Sequence, residues 1–212
     1  MRRRAFLYGT VATAALAQIG CMSPNPPNPV PASNVKTASV NMTQLYQSIM
    51  QQQCEAWCWA ASISMIFHFY GHPLMQAEIV AATFGAVICV PSGNTTNIAA
   101  DLSRTYIDDQ GVLFNSSLTA AYDFFWGINT FDNQLIVNTL NSNNPLLYCN
   151  THHAMVVYSV DYIPTAGEPN IVAVNVVDPW PFSQPTHPLS AAEMVPANLG
   201  GEMTFLASVR VT

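Results

Sequence analysis

Apolar positions along the chain fall into two textures. Up to about residue 144 they form blocks long enough for helices, each bounded by a helix signal. Residues 58–70 end at Gly71, residues 75–84 end at Gly85, residues 96–106 follow the capping pair Asn94-Thr95, and residues 132–141 precede Asn143-Asn144-Pro145. Past Pro145 the blocks shorten and enrich in Val and Ile: residues 146–149, 154–161, 171–177 and 204–211, separated by Pro, Gly and Asn turns, read as strands. The pattern predicts an α+β fold in which a helical lobe (about 45–144) is followed by an antiparallel β lobe (about 145–212), with no internal repeat. A cleft between two such lobes is the natural place for a substrate.

The first residues follow a different grammar. MRRRAFLYGTVATAALAQIGC places a basic cluster before an apolar stretch too short to span a membrane as a stop-transfer helix, then small residues; residues 1–20 read as an export signal. Arg3-Arg4-Ala5-Phe6-Leu7 is similar to a twin-arginine signal. Gly20-Cys21 matches the end of a lipoprotein signal, although Gln18 stands where Leu is usual, and Ala15-Leu16-Ala17 offers an ordinary cleavage site. The proline-rich segment that follows, within a linker at 21–44, is stiff and extended, which suits a tether and favours membrane attachment through a lipid on Cys21. The protein is expected outside the cytoplasmic membrane, periplasmic or on the outer cell surface. The linker leaves too little chain for a folded inhibitory propeptide.

Composition narrows the partners. Half of the residues are apolar and 8% are charged, yet no later apolar run approaches the ~20 residues of a membrane helix, so the body is expected to be soluble. Without the first 20 residues, only Lys36, Arg104 and Arg210 oppose twelve acidic residues. Such a surface repels phosphate backbones and excludes nucleic acid as a partner.

The richest segment is Gln51-Gln52-Gln53-Cys54-Glu55-Ala56-Trp57-Cys58-Trp59-Ala60-Ala61-Ser62. Cys58 opens a strongly apolar helix, where unpaired N–H groups and the helix dipole favour a thiolate, the nucleophilic form. A nucleophilic cysteine needs a base. Thr151-His152-His153-Ala154-Met155-Val156-Val157 supplies a histidine at the start of a strand; alternation points His152 and His153 in opposite directions, so one of them faces the cleft. Asp178, at the end of Val174-Asn175-Val176-Val177-Asp178-Pro179, can accept the second imidazole N–H, with mid-strand Asn175 as its competitor.

Gln52 with Trp57-Cys58-Trp59-Ala60-Ala61 resembles the nucleophile motif of papain-like cysteine proteases, in particular a small bacterial branch with a W-C-W-A-A core. The resemblance runs from about residue 45 to 180. It implies a papain-like two-lobe fold over 45–212, with Cys58 as nucleophile, His153 as base and Asp178 as its orienting partner. A Gln six residues before the nucleophile donates to the oxyanion hole in that family, and Gln52 has that spacing, with Gln51 and Gln53 as neighbouring registers. The implied activity is hydrolysis of peptide or protein substrates through a Cys-His-Asp triad, with no cofactor and no metal. Two departures stand out: 95 residues separate Cys58 from His153, fewer than in papain, and Cys54 lies one position further from the nucleophile than the family's preceding cysteine. Cys54 is expected to pair with Cys89, leaving Cys149 as a buried thiol or a partner of Cys21.

Other signals carry less. His68 and His72 are four apart, but Gly71 interrupts the helix and no carboxylate completes a metal site. Tyr122, Phe124, Phe125 and Trp126 are expected in the core or in a cleft wall, and Asp108-Asp109-Gln110-Gly111 as a turn. Asn94-Thr95-Thr96 and Asn115-Ser116-Ser117 are sequons by pattern, expected as a helix cap and a loop. Three other functions compete: transfer of the acyl group to an amine by the same triad, a non-catalytic binding lipoprotein on this scaffold, and a redox protein using Cys54 and Cys58. The last has the wrong spacing, C-x-x-x-C.

Overall fold

The computed structural model describes residues 34–212, which form one compact unit. The segment read as an export signal, Cys21 and most of the stretch read as linker lie outside the described residues. A short strand, β1 (Lys36–Ser39), leads into helix α1 (Met42–Ser48), then α2 (Cys58–Phe69), α3 (Gln76–Phe84) and α4 (Thr95–Asp101). Strands β2 (Thr105–Ile107), β3 (Leu113–Asp123) and β4 (Ile128–Asn129) precede α5 (Asn133–Asn141), and β5 (Leu146–Cys149), β6 (Ala154–Ile163), β7 (Asn170–Val177), β8 (Thr186–Pro188) and β9 (Phe205–Val211) complete the chain.

All named strand pairs are antiparallel and build one sheet in the order β2-β3-β9-β5-β6-β7-β8. The β1 strand pairs with the far half of β6, Ser39 opposite Ser159, while β5 takes the near half, Cys149 opposite Ala154. Helix α2 is the hub of the core. Ten of its twelve residues are buried, as expected of a helix that is apolar on every side, and it packs against α1, α3, β5 and β6. It stops where Tyr70 N–H turns back to Ile66 and Phe67 and Gly71 takes a positive φ of 89°, a conformation without penalty for glycine.

The α+β class holds, and helices start or stop within one or two residues of expectation at 58, 84 and 141. The division in chain order does not hold so simply. The helix expected over 96–106 ends at Asp101, and Thr105–Ile107 forms β2, since its aromatic and β-branched residues fit an edge pairing with Leu113–Asn115. Inside the stretch read as a helical lobe runs the longest strand, β3, and β1 lies inside the stretch read as linker. The single sheet therefore draws on chain from before, within and after the helical stretch. β3 escaped notice because Asn115, Ser116 and Ser117 broke its apolar pattern, although Phe114 and Ser116 do alternate inward.

Candidate active site

Three elements converge on one cleft. Cys58 is the first residue of α2, so its N–H has no intrahelical acceptor and its thiol sits at the positive end of the helix dipole. Trp57 and Trp59 hold this turn from behind: their indole N–H groups donate to Ile88 O at 2.9 Å and Val90 O at 3.4 Å. The Cys54–Cys89 disulfide, with Cα atoms 6.0 Å apart, ties the same two loops together. That pairing is the expected one, and it takes Cys54 away from any redox partnership with Cys58; Cys149 is free and buried.

His153 stands immediately before β6. The turn that carries it is built by Asn150, whose side-chain oxygen accepts from the N–H groups of His152 at 2.9 Å and His153 at 2.7 Å, while its own N–H donates to His153 O. A polar side chain satisfying the backbone in this way favours a tight link between paired strands. His153 Nε2 lies 2.6 Å from Asp178 Oδ1. Because a carboxylate only accepts, Nε2 carries the proton and Nδ1 is left free for the Cys58 thiol, which lines the same cleft. Burial pulls the imidazole down, but the hydrogen bonds to Asp178 and Cys58 and the charges of both hold it at about 9. Burial pushes the Asp178 carboxyl up, yet hydrogen bonds from His153 and Trp180 N–H, the His153 charge and the Ser183 hydroxyl bring it down to about 2. For Cys149, burial and the proximity of Cys58 and Asp123 push the thiol far above its ordinary range. It is a structural neighbour and a poor nucleophile.

Gln52 is buried close by but does not line the cleft. Its amide nitrogen donates to Cys54 O at 3.0 Å and Glu55 O at 2.8 Å, its side-chain oxygen has no partner among the described residues, and its backbone N–H donates to Pro179 O at 2.8 Å. In the resting structure Gln52 therefore braces the loop before Cys58 and couples it to the Asp178 loop. Gln51 and Gln53 are exposed, and Gln76, which sequence reading overlooked, holds both by donating to Gln51 O and accepting from Gln53 N–H. A second overlooked residue is His187, whose Nε2 lies 3.3 Å from Asp178 Oδ2. It sits on β8, a three-residue strand in a proline-rich stretch, too short for a periodic pattern to flag it. Of the alternatives weighed from sequence, His152 lines the cleft without touching Asp178, and Asn175 bonds Ser159.

The cleft has a volume of about 540 Å³ and is walled by Cys58, His153, Ala154, Phe125, Trp180 and the 91–95 loop, among others. Phe125 is thus a cleft-wall residue, whereas Tyr122 belongs to the core. Asn94 caps α4 by accepting from Asn97 N–H, and the 108–111 segment is a turn closed by Gly111 N–H to Asp108 O. His72 pairs with Asp108 at 3.0 Å. A larger, more apolar cavity of about 580 Å³ lies elsewhere on the sheet, but neither thiol nor imidazole lines it.

A thiol at a helix start beside an imidazole that leans on a carboxylate is the arrangement of a cysteine hydrolase. Residues 37–193 match the family model described as papain-like cysteine protease AvrRpt2. The chain belongs to that family. It is accordingly a cysteine peptidase with peptides or proteins as its substrate class, and its α+β architecture is consistent with a papain-like fold. The family match covers α1 to β8 and spans Cys58, His153 and Asp178. Among curated proteins, none matches the chain.

Proposed function

We propose that the protein is an exported peptidase in which Cys58 attacks, His153 moves the proton, Asp178 orients His153, and Gln52 with the Cys58 N–H receives the oxyanion. The observation that carries this reading is the position of His153, held through Nε2 by Asp178 at 2.6 Å in a cleft whose wall it shares with Cys58. As thiolate and imidazolium, the pair is ready for reaction: sulfur bonds to the carbonyl carbon, and the C–N bond then breaks as His153 gives its proton to the leaving amine. Water next attacks the thioester, His153 takes its proton, and the thiolate leaves. The helix-start N–H of Cys58 supplies one oxyanion donor; Gln52 supplies another by giving up one of its two carbonyl bonds, an exchange that a developing negative charge favours.

The purified domain, under mild reduction, should hydrolyse casein or a peptide library, and the Cys58→Ala variant should not. Incorporation of an added amine in place of hydrolysis would move the reading to acyl transfer, and absence of both would leave a binding lipoprotein. Export rests on residues 1–20 and tethering on a lipid at Cys21. The expressed full chain should partition into detergent, and Cys21→Ala should move it to the aqueous phase; equal partitioning of the two would remove the lipid anchor.

A further inference from the structure

Asp178 immediately follows β7, and by strand alternation it is on the same face of the sheet as Val176, two residues back. His187 on β8 is the register partner of Val176, so it is the diagonal neighbour of Asp178 on that face. Each of its ring nitrogens faces an oxygen acceptor: Nδ1 is 3.0 Å from Pro188 O, and Nε2 is 3.3 Å from Asp178 Oδ2, so a ring that carries its proton on Nε2 donates to Asp178. The carboxylate is thus shared between two histidines. Oδ1 accepts from His153 Nε2 at 2.6 Å and from Trp180 N–H at 2.8 Å, while Oδ2 faces His187. A carboxylate free at one oxygen can turn about its Cβ–Cγ bond and take the other oxygen out of line. With both oxygens engaged, that turn is blocked.

We propose that His187 is a positioning residue which, by donating from Nε2 to Oδ2, fixes the plane of Asp178 and so the orientation of His153 towards Cys58. The proposal rests on the triad reading above. His187 lies outside the cleft wall, so it acts on the reaction without touching substrate. β8 is the last strand of the sheet, and its edge position both tolerates Pro188, which has no N–H to pair, and leaves the imidazole side chain 28% exposed. A substitution there should be absorbed without loss of the fold.

The test compares His187→Leu, which removes the donor at similar volume, with His187→Gln, whose amide nitrogen reaches a similar position and restores it. Three quantities are read on each: kcat and KM on a peptide substrate, the rate of Cys58 alkylation by iodoacetamide, and the melting temperature. His187→Leu should lower kcat about tenfold, the size of one hydrogen bond to a charged group, and slow alkylation, with KM and melting temperature unchanged. His187→Gln should stay within about twofold of the parent. A Leu variant within twofold of the parent in both kcat and alkylation overturns the proposal, and so does an equal fall in the Leu and Gln variants. Alkylation needs no substrate, so a parent protein that fails to cut peptides yet alkylates His187-dependently would refute the peptidase reading and leave the positioning role standing.

Discussion

In the proposed mechanism the chemistry turns on His153, and its surroundings fix the pH range in which it can work. Asp178 and Cys58 raise its imidazole to about 9, so the protonated form that donates to a leaving amine persists through neutral pH. Activity on a peptide should hold into mildly alkaline solution and fall as pH rises through about 9; a profile flat from pH 5 past 10 would contradict the pairing. The same shift acts on stability. A group whose pKa is raised by folding stabilises fully below its unfolded value, near 6.5, and loses that contribution as pH passes the folded value. Asp178, held at about 2, contributes above its ordinary range near 4 and loses its share as pH falls towards 2. Substitutions separate the roles. In comparable nucleophile–histidine–aspartate units, removing the nucleophile or base costs about 10⁶-fold in kcat and removing the carboxylate about 10⁴-fold. Cys58→Ala and His153→Ala should therefore be more damaging than Asp178→Ala, measured on variants with unchanged melting; equal losses would put Asp178 into the bond-making steps. The structure brings His153 onto Asp178 and into one cleft with Cys58, and each of the three was legible as a candidate because it sits at an element boundary with a local signal: a cysteine opening an apolar helix, a histidine before a strand, an aspartate after one. His187 and Asn150 lacked such signals, because what they do depends on which strands pair, and pairing is long-range.

Among the elements, the loop from Gln51 to Trp57 is held from several sides. The disulfide to Cys89, the indole bonds of Trp57 and Trp59, the amide of Gln76 and the two bonds of the Gln52 amide all act to hold the start of α2 against its neighbours. The disulfide closes a 35-residue separation, which by chain entropy stabilises by about 3 to 4 kcal/mol. The paired change Cys54→Ala with Cys89→Ala should lower unfolding free energy in urea by about 2 to 4 kcal/mol. No change would show that the indole and amide bonds hold the loop alone. Gln52→Ala should lower kcat by about 10²-fold, the usual loss for one oxyanion donor, while Cys58 stays open to alkylation. If alkylation fell in parallel, the residue would be a brace only, as its resting hydrogen bonds allow. The spacing from Gln52 to Cys58 was readable in the sequence, but the two carbonyls that occupy its amide were not: backbone direction in an irregular loop leaves no periodic trace. The same reason hid β3 and β1. A strand rich in serine and asparagine, or one of four residues, has too few apolar positions for alternation to register.

At the scale of the whole molecule, a single antiparallel sheet and one buried helix bring together residues from far apart in sequence. Cys58 opens α2, His153 immediately precedes β6, Asp178 immediately follows β7, and His187 lies on β8. Strand pairing fixes the spacing of the last three, and the packing of α2 on β5 and β6 fixes the first against them. Among the described residues, no helix is long and apolar enough to cross a membrane. The central claim is that Cys58 alone, of the chain's thiols, is activated by His153. Iodoacetamide or an epoxide, applied in stoichiometric amount to the mildly reduced domain and followed by peptide mapping and a hydrolysis assay, tests it most directly. Fast modification confined to Cys58, lost in His153→Ala and matched by loss of hydrolysis, is the predicted result; slow labelling spread over several cysteines, unaffected by His153→Ala, would contradict it.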